Sequence, residues 1–279
     1  MIFDSNQAWR EAVASVSANR DVLVPVAGVF FLLPAIISTL FLSDVQATIL
    51  SNLGNPDVAE QAMEGHLGQF LTVGLGAAIV QLIGFLALLA LLTDRQRPTV
   101  GQAIVTGIKS LPTLIAASVL FVVGYVLVAT LVTMLAAGLG ALLNFPALTV
   151  VLSLLMLAAV VYVMVKLSLT LPVIIIEKVT NPVAALVRSW QLTKGQSLRL
   201  FVFYVLLFLA YAVISIVFAF LFMGLVSVVT KPGTMSLLLT GVVSGVVGAA
   251  ASVLMTAIFA AIHRQFAGPS TGAISQTFD

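Results

Sequence analysis

With 279 residues the chain is long enough for one or two soluble domains, but 61% of its residues are hydrophobic and only 8% are charged. Soluble domains carry about 25% charged residues, so this balance excludes a soluble fold and identifies an integral membrane protein. The formal net charge of +2 comes from 12 Lys and Arg spread over many short loops, which makes it a record of topology rather than a nucleic-acid footprint, and the absence of Cys excludes disulfides, thiolate nucleophiles and Cys-bound metal.

A helix needs roughly 20 apolar residues to cross about 30 Å of hydrocarbon. The chain opens with a short amphipathic segment, its stripe made of Trp9, Ala12, Val13 and Val16 and its start marked by a capping-box pair, Asp4 and Gln7. The first span, about 22–42, follows Arg20 and Asp21; the uncharged run to Ser43 exceeds the about 7–15 residues of a secretory signal, so it reads as a retained helix. A 43–67 loop with Asp44, Asp57, Glu60 and Glu64, and neither Lys nor Arg, leads to the second span at about 68–92. Near its centre Gln81 is expected to bond across to a neighbouring helix.

A second amphipathic segment follows Pro98, with Val100, Ala103, Ile104 and Gly107 on its stripe. The uncharged run from 110 to 165 is too long for one crossing and carries Gly138, Gly140, Asn144 and Pro146 near its middle, which predicts two spans, about 112–137 and 148–174. The third amphipathic segment follows Pro182, with Val183, Leu186, Val187 and Trp190, and the last two spans are about 200–228 and 236–262. Within the sixth, Gly241, Ser244, Gly245, Gly248 and Ser252 form overlapping small-x-x-x-small steps that let two backbones approach where lipid gives helices no hydrophobic drive.

Six spans place Arg10, Arg20, Arg95, Arg97, Lys109, Lys178, Arg188, Lys194, Arg199 and Arg264 on one side and Lys231 on the other, so both termini are expected in the cytoplasm. The three amphipathic segments, offset by 91 and 83 residues, each precede one outward and one inward span. The expected fold is therefore all-α: one integral membrane domain over 1–279, built as three repeats of an interfacial helix plus a transmembrane hairpin (about 4–92, 96–175 and 180–264), with 265–279 as a C-terminal tail.

The string Tyr162 to Lys166-Leu-Ser-Leu-Thr-Leu-Pro172-Val-Ile-Ile-Ile-Glu177, then Asn181-Pro182 and Arg188-Ser-Trp-Gln-Leu-Thr-Lys-Gly195, together with Ala8-Trp9-Arg10-Glu11-Ala12 and His263-Arg264-Gln265, resembles the glycerophosphoryl diester phosphodiesterase membrane-domain family, akin to YciC-like bacterial inner-membrane proteins. The resemblance implies a six-helix protein of the bacterial inner membrane, the membrane part only, without a phosphodiesterase domain. The family has arginine where this chain has Lys166, a point charge in place of a planar fork.

Chemistry inside a bilayer is sought among polar residues that are costly to place there. Lys166 is the sharpest candidate, either a contact for a phosphate or carboxylate or a side chain that snorkels or makes a structural hydrogen bond. The candidate lipid or anion contacts are Lys166, Lys194, Arg199, Arg188, Arg95 and Arg97; Trp9 and Trp190 are interfacial anchors; Gly241, Gly245, Gly248 and Gln81 pack helices. His66 and His263 are expected to be solvated or interfacial. The sequence shows no catalytic set, no cofactor fingerprint and no metal-binding spacing, and the predicted spans hold no Asp or Glu, which weighs against proton-coupled transport. The expected function is non-enzymatic: to bind or organise lipid, anionic lipid above all, or to support a larger assembly with other membrane subunits, and not to bind nucleic acid. The alternative is a transporter or channel for a lipid-derived or small anionic substrate, for which a polar cavity reaching Lys166 would be the sign.

Overall fold

The computed structural model describes residues 3–52, 54–93, 98–142, 147–231 and 233–267, and every regular element among them is helical. Six helices are long and apolar enough to cross a membrane: Arg20–Ser51, Leu67–Thr93, Val100–Gly140, Val150–Ile176, Ser197–Val226 and Thr234–Ala267. The six spans expected from hydropathy are all present. Arg95, Arg97, the Asn144-Pro146 turn and the tail beyond 267 lie outside the described residues.

In chain order, α1 is Ser5–Ala18, and the first span comprises α2 (Arg20–Ala27), a π-helical stretch at Gly28–Leu32, and α3 (Leu33–Ser51). The expected acidic loop is itself largely helical: α3 runs on to Ser51, burying Leu42 and Val45, and α4 covers Pro56–Gly65. The second span runs from α5 (Leu67–Gln69) through a π-helical stretch at Phe70–Leu75 into α6 (Gly76–Thr93). Then come α7 (Val100–Leu142), α8 (Ala147–Leu167), α9 (Thr170–Ile176), α10 (Pro182–Leu192), α11 (Ser197–Val229) and α12 (Thr234–Ala267).

The second amphipathic segment is not a separate surface helix. It is the first turns of α7, 43 residues without a break despite Pro112. At 1.5 Å per residue that rod is about 65 Å long, twice the hydrocarbon thickness, so the span extends into water along its own axis. Each of the three segments nonetheless begins with a side-chain cap. Asp4 Oδ1 accepts from Asn6 N (2.9 Å) and Gln7 N (3.0 Å), while the reciprocal position is taken by Gln265, whose Oε1 accepts from Asp4 N at 3.2 Å. Thr99 and Gln102 form a complete capping box, Thr99 N donating to Gln102 Oε1 (2.9 Å) and Gln102 N to Thr99 Oγ1 (3.3 Å). Asn181 Oδ1 accepts from Val183 N and Ala184 N.

The chain divides into two compact units, 1–8, 109–205 and 259–279 in one, and 9–108 and 206–258 in the other. The second unit has an apolar core of Leu23, Val26, Ala27, Phe31, Leu88, Ala249 and Val253. Its helices meet through glycines. The widened turn before Pro34 carries Phe30 and Phe31 against α6, where a Cβ on Gly84 would lie 2.5 Å from Phe30 Cβ, and the Phe31 and Phe85 rings meet edge to face at 4.8 Å. Gly107 lies against the α6 backbone, with Ile83 O 3.0 Å from where its Cβ would stand, and Gly241 and Gly245 lie against α3 and the turn before it in the same way. The first unit buries apolar residues of its own, among them Leu169, Val173, Leu200 and Ile262, and adds to them a set of polar side-chain bonds.

Candidate functional site at the break in the fourth span

The fourth span is interrupted beside Lys166. Pro172 has no N–H for the carbonyl four residues earlier and its ring crowds that turn, so α8 stops at Leu167 and the helix resumes at Thr170. Two freed carbonyls are met locally, Val165 O by Ser168 Oγ (2.8 Å) and Leu167 O by Thr170 Oγ1 (2.7 Å). Lys166 O is met from another element: Ser189 Oγ donates to it at 2.9 Å, and Thr193 Oγ1, whose single hydrogen also has Ser189 O at 3.0 Å and Trp190 O at 3.2 Å, lies 3.2 Å from it.

The bond is returned. Lys166 Nζ donates to Thr193 O at 3.3 Å, placing an ammonium at the carbonyl-rich, negative end of α10. Nζ also lies 5.5 Å from the Tyr162 ring centroid and 5.4 Å from that of Trp190, and the two rings pack edge to face at 5.9 Å. Each such cation–π contact is worth about 0.5–2 kcal/mol, more as water is excluded. Lys166 is only 3% exposed, so its side chain does not snorkel to water.

A second polar set closes the same region. Glu177, just past α9, accepts from Arg188 Nε at 2.8 Å through Oε2, and His263 Nε2 faces Oε1 at 3.0 Å. A carboxylate only accepts, so that histidine nitrogen carries the hydrogen. His263 is 2% exposed, which corrects the expectation of a solvated or interfacial residue: it is a buried partner of Glu177. Lys178 follows in the left-handed conformation (φ 54°) and turns the chain back towards the Asn181 cap. Tyr204 OH donates to Ser168 Oγ at 3.1 Å and Thr113 Oγ1 to Thr180 O at 3.1 Å. Side-chain bonds thereby join residues of the third, fifth and sixth spans to the segment between Ser168 and Thr180.

Of the residues singled out from sequence, Lys166, Arg188 and Trp190 come together here, while Lys194 and Arg199 stand exposed. Trp9 is partly exposed in the other unit. There Gly241 and Gly245 are close-packed, but Gly248 has open space where a side chain would be, so it has no part in the close approach. Gln81 is half-buried and makes no interhelical hydrogen bond among the described residues, contrary to expectation. Sequence reasoning missed Ser189 and Thr193. Their signal is the Ala185, Ser189, Thr193 spacing, a small and hydroxylated face that flanks the apolar stripe of α10.

Residues 139–270 match the family model described as the membrane domain of glycerophosphoryl diester phosphodiesterase. Over that stretch, a little under half of its length, the chain is similar to this family. The match is to the membrane domain and not to a catalytic domain, and it covers the fourth, fifth and sixth spans with every member of the Lys166 and Glu177 clusters. No curated protein and no solved structure matches the chain. The residues that carry the family resemblance, Lys166, Pro172, Glu177, Asn181, Arg188, Trp190 and His263, are the ones that shape and hold the break. Among them Glu177 pairs with Arg188 and His263, and the Lys166 ammonium lies over the Trp190 ring.

Proposed function

We propose that this is a non-catalytic protein of a bacterial inner membrane whose basic rim holds anionic lipid, with both termini in the cytoplasm. The observation that carries the reading is a division of labour among charges. Lys166 is consumed by Thr193 O, and Glu177 by Arg188 and His263, whereas Lys178, Lys194 and Arg199 on the same stretch of chain are exposed. Inner charges join helices, and outer ones are free for lipid phosphate, at about 1 kcal/mol for each cation near an anionic surface. The transport alternative finds less support. A broken span beside a lysine is a feature of transporters, but here α10 occupies both the freed carbonyl and the ammonium.

The repeat belongs to the same proposal, in a corrected register. Ala12, Ala103 and Ser189 are all fully buried, as are Leu23, Leu114 and Leu200 to within 6% exposure, at offsets of 91 and 86 residues. The second offset differs from the 83 read from the apolar stripe, because what recurs is the small-residue face that packs on protein. In each unit of the repeat, one amphipathic segment would dock on the inner end of a neighbouring span and leave its apolar stripe for lipid.

The test is lipid selectivity of the purified chain in nanodiscs of equal parts phosphatidylglycerol and phosphatidylcholine. Enrichment of phosphatidylglycerol around the protein, lowered in a Lys178→Gln, Lys194→Gln, Arg199→Gln variant, is the expected result. Identical lipid composition around both proteins would refute the rim.

A further inference from the structure

We infer that the second unit holds a binding groove for one acyl chain of a cytoplasmic-leaflet phospholipid, between α11 and α12, with α1 at its mouth. This deepens the lipid reading above but stands on a different site and different residues. The groove is a cavity of about 340 Å³ lined by Trp9, by Leu207, Tyr211 and Phe218 along α11, and by Ala210, Ala250 and Ala251, which open a slot between the helices. Small side chains on facing helices make the slot, and Tyr211 supplies its one phenol.

Size and length decide the occupant. The slot admits a file of methylenes along its length, whereas a helix from a second copy, about 10 Å across, would seat only side chains in it. From Leu207 to Phe218 the wall runs about 17 Å at 1.5 Å per residue, close to half of a hydrocarbon core about 30 Å thick, the depth of one leaflet. Beyond Tyr211 and Phe218 a second apolar cavity of about 320 Å³ leaves room for the chain's end. At the mouth, Trp9 is a residue of the headgroup boundary, and the next residue, exposed Arg10, offers the charge that complements a phosphate. The order of chemistry along the groove, cation, indole, then alkyl wall, is the order of a phospholipid from headgroup to tail.

The experiment is native mass spectrometry of the full chain released from nanodiscs of equal parts phosphatidylglycerol and phosphatidylcholine. Wild type is expected to retain one phospholipid. Ala250→Phe, which fills the slot, is expected to lower retention about tenfold, with Ala251→Leu between the two and Val242→Phe, outside the groove, unchanged. Arg10→Gln is expected to keep a retained lipid but lose the preference for phosphatidylglycerol. Wild-type retention in both slot-filling variants overturns the groove, as does a dimer that Ala250→Phe dissociates while lipid retention stays constant. A measurement on the unmutated protein stands independently of folding: phosphatidylglycerol with a diazirine midway along its tail should label peptides from 207–218 and 246–258, and labelling spread evenly over all six spans would overturn the proposal. Because Lys178, Lys194 and Arg199 are untouched, loss of the rim effect and loss of the groove effect are read separately.

Discussion

The two units solve one problem by different means. Lipid tails are as apolar as leucine, so helices in a bilayer gain nothing by hiding from solvent, and association must come from close backbone packing or from polar bonds. The 9–108 and 206–258 unit uses the first, with Gly84, Gly107, Gly241 and Gly245 set where a side chain would strike a neighbouring element. The 109–205 and 259–279 part adds the second to its buried apolar contacts, with reciprocal bonds between Lys166 and Thr193 and a carboxylate shared by Arg188 and His263. The difference teaches that close packing tolerates no added atom, whereas a polar cluster tolerates changes of shape but not the loss of a partner.

The largest expected effect tests the packed unit. Gly84→Ala sets a methyl 2.5 Å from Phe30 Cβ and 3.1 Å from the Phe30 and Phe31 rings, and because the first of these is a side-chain root rather than a flexible tip, backbone must move. A loss of about 2–3 kcal/mol is expected in a detergent unfolding titration, even after the about 1 kcal/mol that alanine gains over glycine in a helix. No loss would mean that the hairpin is not held by this approach. Next comes the polar unit. Glu177→Ala leaves His263 buried without a partner, and a loss of about 2 kcal/mol is expected, most of it from the histidine because Arg188 is partly exposed and can turn to water. Glu177→Gln, which keeps an acceptor, should lose less; equal losses from both variants would show that the hydrogen bonds are not what matters.

These two tests also separate what the sequence made legible from what it did not. Hydropathy is a one-dimensional property and the membrane imposes it strongly, so all six spans could be counted from uncharged runs. Lys166 stood out because a cation inside a span is rare, but its partner did not, since Thr193 O is a backbone atom that every residue carries. The amphipathic stripes were visible as apolar faces. Ala185 with Ser189, a face that packs on protein, was overlooked because small residues look neutral on a hydropathy scale, and Ala103 with Gly107 were read as part of an apolar stripe although they too pack on protein. The π-helical stretches at Gly28–Leu32 and Phe70–Leu75 leave no mark in composition, being one extra residue in a turn. His263 looked like an ordinary helix-end residue because Glu177, its partner, lies 86 positions away.

A smaller effect probes how the polar cluster is wired. Ser189 Oγ and Thr193 Oγ1 both lie within hydrogen-bond reach of Lys166 O, so either hydroxyl can satisfy that carbonyl alone. Ser189→Ala and Thr193→Val should each lose about 0.6 kcal/mol, near the average for polar contacts between membrane helices. Together they orphan a buried carbonyl, and the double variant should lose about 1 kcal/mol beyond the sum. Strict additivity in the double-mutant cycle would mean that the two hydroxyls do not share one acceptor.

The smallest effect sets two glycines of one helix against each other. A Cβ on Gly245 would lie 2.7 Å from Leu32 Cδ1 and 3.3 Å from Leu32 O, whereas a Cβ on Gly248 would meet nothing within 4 Å. Both occupy the same small-residue stripe, so an account based on sequence pattern alone predicts equal damage from alanine at either. Leu32 Cδ1 is the tip of a flexible side chain and can swing aside, but the carbonyl cannot, so Gly245→Ala should lose about 1 kcal/mol net of helix propensity. Gly248→Ala has propensity and no collision, so it should be neutral or gain up to about 1 kcal/mol. A loss at Gly248 as large as that at Gly245 would mean that something covers the open face of α12 in the membrane, and a second variant there, Gly248→Leu, would then separate a lipid, which yields to the larger side chain, from a packed protein surface, which does not.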